Sequence, residues 1–294
     1  MSLNSKKTRL YAFTRNTPKV EAFSLDRTNG RLTWINEAST APSTGSTSLK
    51  VHPSDRYVIT ADYRTGNIVV LPILPDGGVG AATDTIMDGV TAHMVMTSSR
   101  GHVFVPHVRP NHVGQYALDE TTGKLTRIQP FPAPPAGGPR HMAFAPGERH
   151  AYIINESNGT MSTYSHDAAS GRLTHVETVA TVAPDVSERA CAHVEIHTSG
   201  KFVYGTNRTS KSIAMFRVDP STAKLTLIGN ESANMTMNQP SDFEIDPTGK
   251  FLLLANVAAD TVMVFRILDD GVLQLVAPPL PFDGPGSIAI VPLP

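Results

Sequence analysis

The chain is short of almost everything that would tie it to a charged or oxidised partner. It has one cysteine, Cys191, so no disulfide can form within it. That fits a reducing compartment, and we expect a cytoplasmic protein. Its 25 basic and 26 acidic residues nearly cancel. Bulk charge therefore gives no reason to expect nucleic acid or an anionic membrane as partner. No run approaches the roughly 18 apolar residues of a membrane span, and MSLNSKKTRLYAF has no long apolar stretch of the signal-peptide kind. Tryptophan occurs once, at Trp34. Helical periodicity is essentially absent.

Turn residues are plentiful instead, with 22 glycines and 23 prolines. They punctuate a repeat. Five segments align on a turn between two strands: SLKVHPSDRYVI from Ser48, HMVMTSSRGHVF from His93, HMAFAPGERHAY from His141, HVEIHTSGKFVY from His193 and DFEIDPTGKFLL from Asp242. Each pair is followed by a short polar loop and a third strand, such as SIAMFRV, and then by a turn and a fourth, such as TAKLTLI. Four short strands recurring about every 48 residues are the pattern of a β-propeller blade. The expected fold is therefore all-β, one propeller domain over 1–294. Residues 8–40 supply strands two, three and four of a further unit, and GPGSIAIVPLP supplies a candidate first strand. The count is six four-stranded blades, with the ring closed by N- and C-terminal strands sharing one blade. Closure of that kind leaves no free sheet edge.

Two columns of residues share the frame. One stands at the start of each first strand: Ser48, His93, His141, His193, Asp242 and Ser287, with Arg140 just before His141. The other stands in the loop after each second strand: Thr14-Arg15, Asp62-Tyr63, His107-Val108, Asn155-Glu156, Asn207-Arg208 and Asn256-Val257. In a propeller both columns open on one face, which makes them the candidate site. Arginines there suit a carboxylate, a phosphate or a developing oxyanion. Histidines and a glutamate suit proton transfer. The bland reading also holds for several of them. Asn155, Asn207 and Asn256 recur at one turn position and suit loop geometry. His52 and His197 occupy a turn position and are expected to be structural.

At these residues the chain resembles the lactonase β-propeller family, which includes propeller-type 6-phosphogluconolactonases and a carboxymuconate-lactonizing enzyme. GGPRHMAFAPGERHAYIINE, AHVEIHTSGKFVYGTNRTSKSIAMFRVDPSTAKLTLI and PSDFEIDPTGKFLLLANVAADTVMVFRI carry the resemblance. It implies catalytic roles for His93, Arg140, Glu156 and Arg208, while the two columns themselves offer His141, His193, Asp242, Arg15, Asp62, His107 and Asn207 as substrate contacts. The resemblance also implies a small lactone or carboxylate as substrate. The family usually has seven blades, one more than the repeat count here. Its last motif commonly reads Pro-Arg-Asp-Phe, where this chain has Pro-Ser-Asp-Phe with Ser241. Hydrolysis of a lactone and the reverse, lactonizing chemistry draw on the same residues, and a non-catalytic binding propeller remains a third reading. No cofactor is expected. A divalent metal held by His93, His141, His193 and Asp242 is the alternative, and no Gly-x-Ser-x-Gly nucleophile motif is present.

Overall fold

The computed structural model describes residues 1–290 apart from 14–16, 45, 133–136 and 188. Among the described residues there are six antiparallel sheets. Each runs through four strands that are consecutive in sequence, which is the blade architecture the repeat predicts. The sole helical element among them is a single turn at Val257–Ala259. The chain divides into two compact units. One is formed by residues 1–133 and 167–172 and holds the first three blades. The other is formed by 134–166 and 173–290 and holds the last three.

Alternation and burial explain the strands. In the central strands of a blade most residues are buried, as in Phe202–Asn207 throughout and Ser212–Val218 up to Phe216, because neighbouring blades cover both faces. The fourth strand is mostly exposed or half-buried, as in Leu225–Glu231, because it lies at the rim. Trp34 sits in a fourth strand, Leu32–Ser39, and is exposed rather than packed.

Blades in the same unit are joined by tyrosines. Tyr11 donates from its hydroxyl to the Gly77 carbonyl at 2.9 Å, Tyr57 to Glu120 at 3.0 Å, Tyr152 to Ala223 at 3.1 Å and Tyr204 to Gly271 at 2.9 Å. In each case a second strand reaches the turn between the last two strands of the next blade. Burial pushes the Tyr152 phenol up to about 12, so it stays a donor at any physiological pH. Histidines do the same job one turn away. His52 Nε2 meets the Gly101 carbonyl at 3.0 Å and His197 Nε2 meets that of Gly249 at 2.7 Å. Gly249 lies at φ +72°, and a Cβ there would sit 2.7 Å from His197 Nε2, so only glycine fits. Both histidines are structural, as their turn position implies.

The first blade is built differently from the sequence expectation. Its first strand is Ser2–Leu3, from the N-terminus itself, pairing Ser2 with Tyr11 and Leu3 with Leu10. Residues 285–290 form no strand. The physical reason is local: Asp242 accepts hydrogen bonds from Ser287 Oγ at 2.7 Å and from the Ile288 amide at 3.0 Å, so that amide is not free for a ladder. The preceding Leu280–Pro281 adds a short fifth strand against Thr261–Ile267 in the last sheet.

Tyr204→Phe leaves the Gly271 carbonyl without its donor inside a buried contact. It is expected to lower the unfolding free energy by about 1 kcal/mol. The check is urea denaturation followed by far-ultraviolet circular dichroism, with an unchanged m-value.

Candidate active site

The second unit gathers its ionisable residues through a backbone irregularity that recurs in three blades. In Pro139–Phe144 the register jumps between Pro139, opposite Asn155, and His141, opposite Ile154. Arg140 is the extra residue of that β-bulge. Equivalent shifts fall between Cys191 and Val194, and between Pro240 and Phe243. They displace His193 and Asp242. A bulge re-aims a side chain that a regular strand would send to the opposite face, and here it does so at the first-strand position of each blade.

Arg140 is buried, and everything near it is arranged around its charge. Its Nη1 donates to the Ala192 carbonyl at 2.5 Å and faces His141 Nε2 at 3.3 Å. Its Nε lies 3.4 Å from Glu156 Oε2, a charge contact without hydrogen-bond geometry. The other oxygen of Glu156 accepts from Arg208 Nη2. One carboxylate thus bridges two guanidinium groups. Burial, and then the neighbouring Arg208, pull the Arg140 pKa down to about 10, against the pull of Glu156 and Asp242. It remains a cation at neutral pH.

Beside this cluster stands a histidine pair. His141 Nδ1 and His193 Nδ1 are 2.7 Å apart, with the rings edge to face. His193 is buried, with Nε2 3.5 Å from Glu195 Oε1 and Nδ1 3.4 Å from Asp242 Oδ1. Phe243 closes over its ring at 4.9 Å. Burial alone would lower the His193 pKa, but Asp242 and Glu195 outweigh it and Arg140, and the net direction is upward. The proton order in the neutral pair follows from the partners. Arg140 can only donate, so His141 Nε2 accepts and the His141 proton sits on Nδ1. His193 Nδ1 then accepts it, and the His193 Nε2 proton faces Glu195.

Arg208 also lines an open cleft of about 380 Å³ with Ala190, Thr209, Lys211, Asn238 and Gln239. Cys191 is buried, and burial raises its thiol to about 11, so it offers no thiolate at neutral pH. Among the described residues no three His, Cys, Asp or Glu side chains are grouped as a metal ion needs.

The other expected site residues fare differently. His93 lies in the first unit, its ring edge-on to Tyr63 at 5.4 Å and its amide donating to the Pro106 carbonyl. Arg15 lies outside the described residues. Asp62, His107 and Asn207, expected as substrate contacts, are wholly or almost wholly buried and serve the framework instead. Asp62 accepts from the amides of Thr44, Arg64 and Thr65. His107 packs against His112, and burial, with His112 beside it, lowers its pKa to about 4, keeping it neutral. Asn207 accepts from Thr181 Oγ1 at 2.8 Å and donates to Ser212 Oγ at 3.3 Å. Asn155 and Asn256 make the matching bonds to Thr160 and Thr261. Two residues of this region were not singled out from the sequence: Glu195, which anchors His193, and Lys211 in the cleft.

A family model described as lactonase, seven-bladed β-propeller, matches residues 1–290. A 6-phosphogluconolactonase of Pectobacterium carotovorum is 31% identical over 300 residues, covering 100% of this chain and 88% of the relative. One of Bacillus subtilis is 26% identical over 281 residues, covering 90% and 79%. Among solved structures, the periplasmic gluconolactonase of Pseudomonas aeruginosa superposes with a TM-score of 0.91 at 22% identity, over 100% of this chain and 88% of that one. The six sheets seen here stand against seven blades in the family description.

Glu156→Gln removes the only carboxylate that touches both guanidinium groups among the described residues. Arg140 then loses the carboxylate in contact with it and keeps only the field of Asp242, and the unfolding free energy is expected to fall by about 3 kcal/mol. Urea denaturation at pH 7 measures it.

Proposed function

The chain belongs to the lactonase family of seven-bladed β-propellers, and from that premise we propose that its reaction is the hydrolysis of a sugar-derived lactone bearing an anionic group, at the Arg140–Glu156–Arg208 cluster. The protein is a lactone hydrolase by class. The finer substrate, a 6-phosphogluconolactone, is supported by the names of its relatives. One observation carries the site: a fixed, buried guanidinium stands 3.3 Å from a histidine nitrogen whose lone pair faces it.

Opening a lactone requires a water to lose a proton as its oxygen bonds to the carbonyl carbon. His141 Nε2 takes that proton, its lone pair giving up the Arg140 Nη1 contact that it holds in the resting site while Nη1 keeps its bond to Ala192. The pair then holds three protons, and the Nδ1–H of His141 passes to His193 Nδ1. The charge comes to rest on His193, where Asp242 and Glu195 face it. Arg140 stabilises the oxyanion that forms on the carbonyl oxygen, and it needs no reorganisation because Ala192 and Glu156 already hold it. When the tetrahedral intermediate collapses, the ring C–O bond breaks. The leaving oxygen takes the proton back from the pair. Glu156, engaged by two arginines, positions both. Arg208 receives the substrate's anionic part from the cleft. His93 keeps its place as a candidate contact through the resemblance alone.

No step uses a metal ion, and dialysis against EDTA is expected to leave the rate unchanged. We take the cytoplasm as the compartment, on the strength of a lone, buried thiol. No helix of the described residues is long and apolar enough to cross a membrane.

Stopped-flow hydrolysis of 6-phosphogluconolactone and gluconolactone, with spontaneous opening subtracted, tests the reading. Arg140→Ala should lose about two orders of magnitude in kcat/KM. No acceleration of either lactone by the wild type would overturn it.

A second check uses pH. The base must be unprotonated, and Asp242 favours its protonated form. So kcat/KM should rise with pH through a value above the ordinary histidine value of about 6.5. Asp242→Asn removes the charge, and the acid limb should move down by about one pH unit. An unmoved limb would remove the histidine pair from the mechanism.

A further inference from the structure

The loop Asn207–Ser212 joins two buried strands and carries Lys211 at φ +52°. That is the left-handed region, where a side chain with a Cβ is disfavoured. The equivalent loops of four other blades put Gly66, Asn111, Gly159 and Asp260 at this position, all at positive φ. Those are the residue types that adopt it at least cost. Lysine takes that conformation at more cost than the residues its four sister loops carry there.

Lys211 is exposed and makes no ion pair among the described residues. With Arg208 it gives the cleft two cations and no acidic residue, beside Thr209, Asn238 and Gln239. Thr209 Oγ1 accepts from the Ala190 amide at 3.1 Å, which leaves its hydroxyl proton to give. Arg208 is the single residue shared by this cleft and the Glu156 bridge. At about 380 Å³ the cleft falls within the range of small-molecule sites.

We propose that Lys211 and Arg208 form a subsite for a phosphomonoester on the lactone, and that Lys211 sets the preference for phosphorylated over neutral substrate. This rests on the lactonase reading above. A dianion matches two cations in an open cleft, and the hydroxyl and amide groups can fill its remaining acceptor sites.

The test compares wild type, Lys211→Asn and Lys211→Arg. Asparagine accepts the left-handed conformation, so a loss in that variant is not a folding defect. Two readouts are needed: kcat/KM for 6-phosphogluconolactone and gluconolactone, and the Kd of 6-phosphogluconate and gluconate by calorimetry. In Lys211→Asn the phosphorylated-to-neutral ratio of kcat/KM should fall about tenfold, mostly through KM. The Kd of 6-phosphogluconate should weaken by a similar factor, and Lys211→Arg should restore most of both. If the wild type hydrolyses lactones but both quantities stay within about twofold in Lys211→Asn, the subsite is overturned and the lactonase reading stands. If the wild type opens neither lactone, the lactonase reading falls and the binding arm decides. Binding of 6-phosphogluconate that depends on Lys211 then supports the subsite, and absent or Lys211-independent binding overturns it.

Discussion

The second unit is organised around one unfavourable act, the burial of the Arg140 guanidinium. An ion taken out of water must be met by carbonyls, carboxylates or other polar groups, or the fold loses several kcal/mol. Each neighbour answers part of that demand. The Ala192 carbonyl accepts one proton at 2.5 Å, His141 lies against the same nitrogen, and Glu156 supplies the countercharge. A second cation, Arg208, can stand close by because the same carboxylate serves both. Remove Glu156 and two like charges face each other across a partly dry space. The cluster is therefore fixed before any ligand arrives, as electrostatic stabilisation of a developing charge requires.

The scaffold makes that burial affordable by being over-determined elsewhere. Tyrosine hydroxyls and turn histidines pin each blade to the next turn within a unit, and the asparagines at 155, 207 and 256 close their loops through neighbouring hydroxyls. Exposed turns are capped as well. Asp219 accepts from the Ser221 hydroxyl and from the Thr222 and Ser221 amides, which hold its pKa near 2. With the framework rigid, the three bulges can carry irregular backbone at the first-strand positions without loosening the sheets. They occur where Arg140, His193 and Asp242 stand, which is why those side chains lie beside neighbours from the adjacent blades.

Much of this was legible in the sequence, for a physical reason. Strand alternation and turn chemistry are local, and a repeat prints them again and again, so four-stranded blades and the two columns of residues could be read directly. Arg140, Glu156, Arg208, His141, His193 and Asp242 all came from that frame. What escaped it was non-local or non-periodic. A one-residue bulge leaves the hydrophobic pattern nearly intact, so nothing at Arg140 announced it. The first strand Ser2–Leu3 is two residues long, too short to show a period. The C-terminal segment has the composition of a strand, yet Asp242 draws its Ser287 hydroxyl and Ile288 amide into a different contact. Burial separated Asn207 from Arg208, adjacent in sequence but opposite in duty. Lys211 alone left a readable trace. It stands where four sister loops carry glycine, asparagine or aspartate, and a comparison of loops at that one position finds it.

The pairing of Asn207, Arg208 and Lys211 in one loop shows how a repeat acquires chemistry without losing its fold. Asn207 is spent on closure: it bonds Thr181 and Ser212, and so fixes the ends of the hairpin. That closure holds the intervening backbone, including a φ that lysine would not choose in a free chain. Strain of order 1–2 kcal/mol at one residue is tolerable when the strand residues flanking the loop are buried and paired residue for residue. The loop can then present two cations in opposite directions of use, Arg208 inward to Glu156 and the cleft, Lys211 to the cleft alone. In the proposed reaction, the positive charge that meets an anion is thus kept on a loop, while the groups proposed to move protons stand on strands with carboxylates behind them. A substrate anion seated at the loop meets fixed cations there without disturbing the Asp242 and Glu195 contacts that govern the histidine pair.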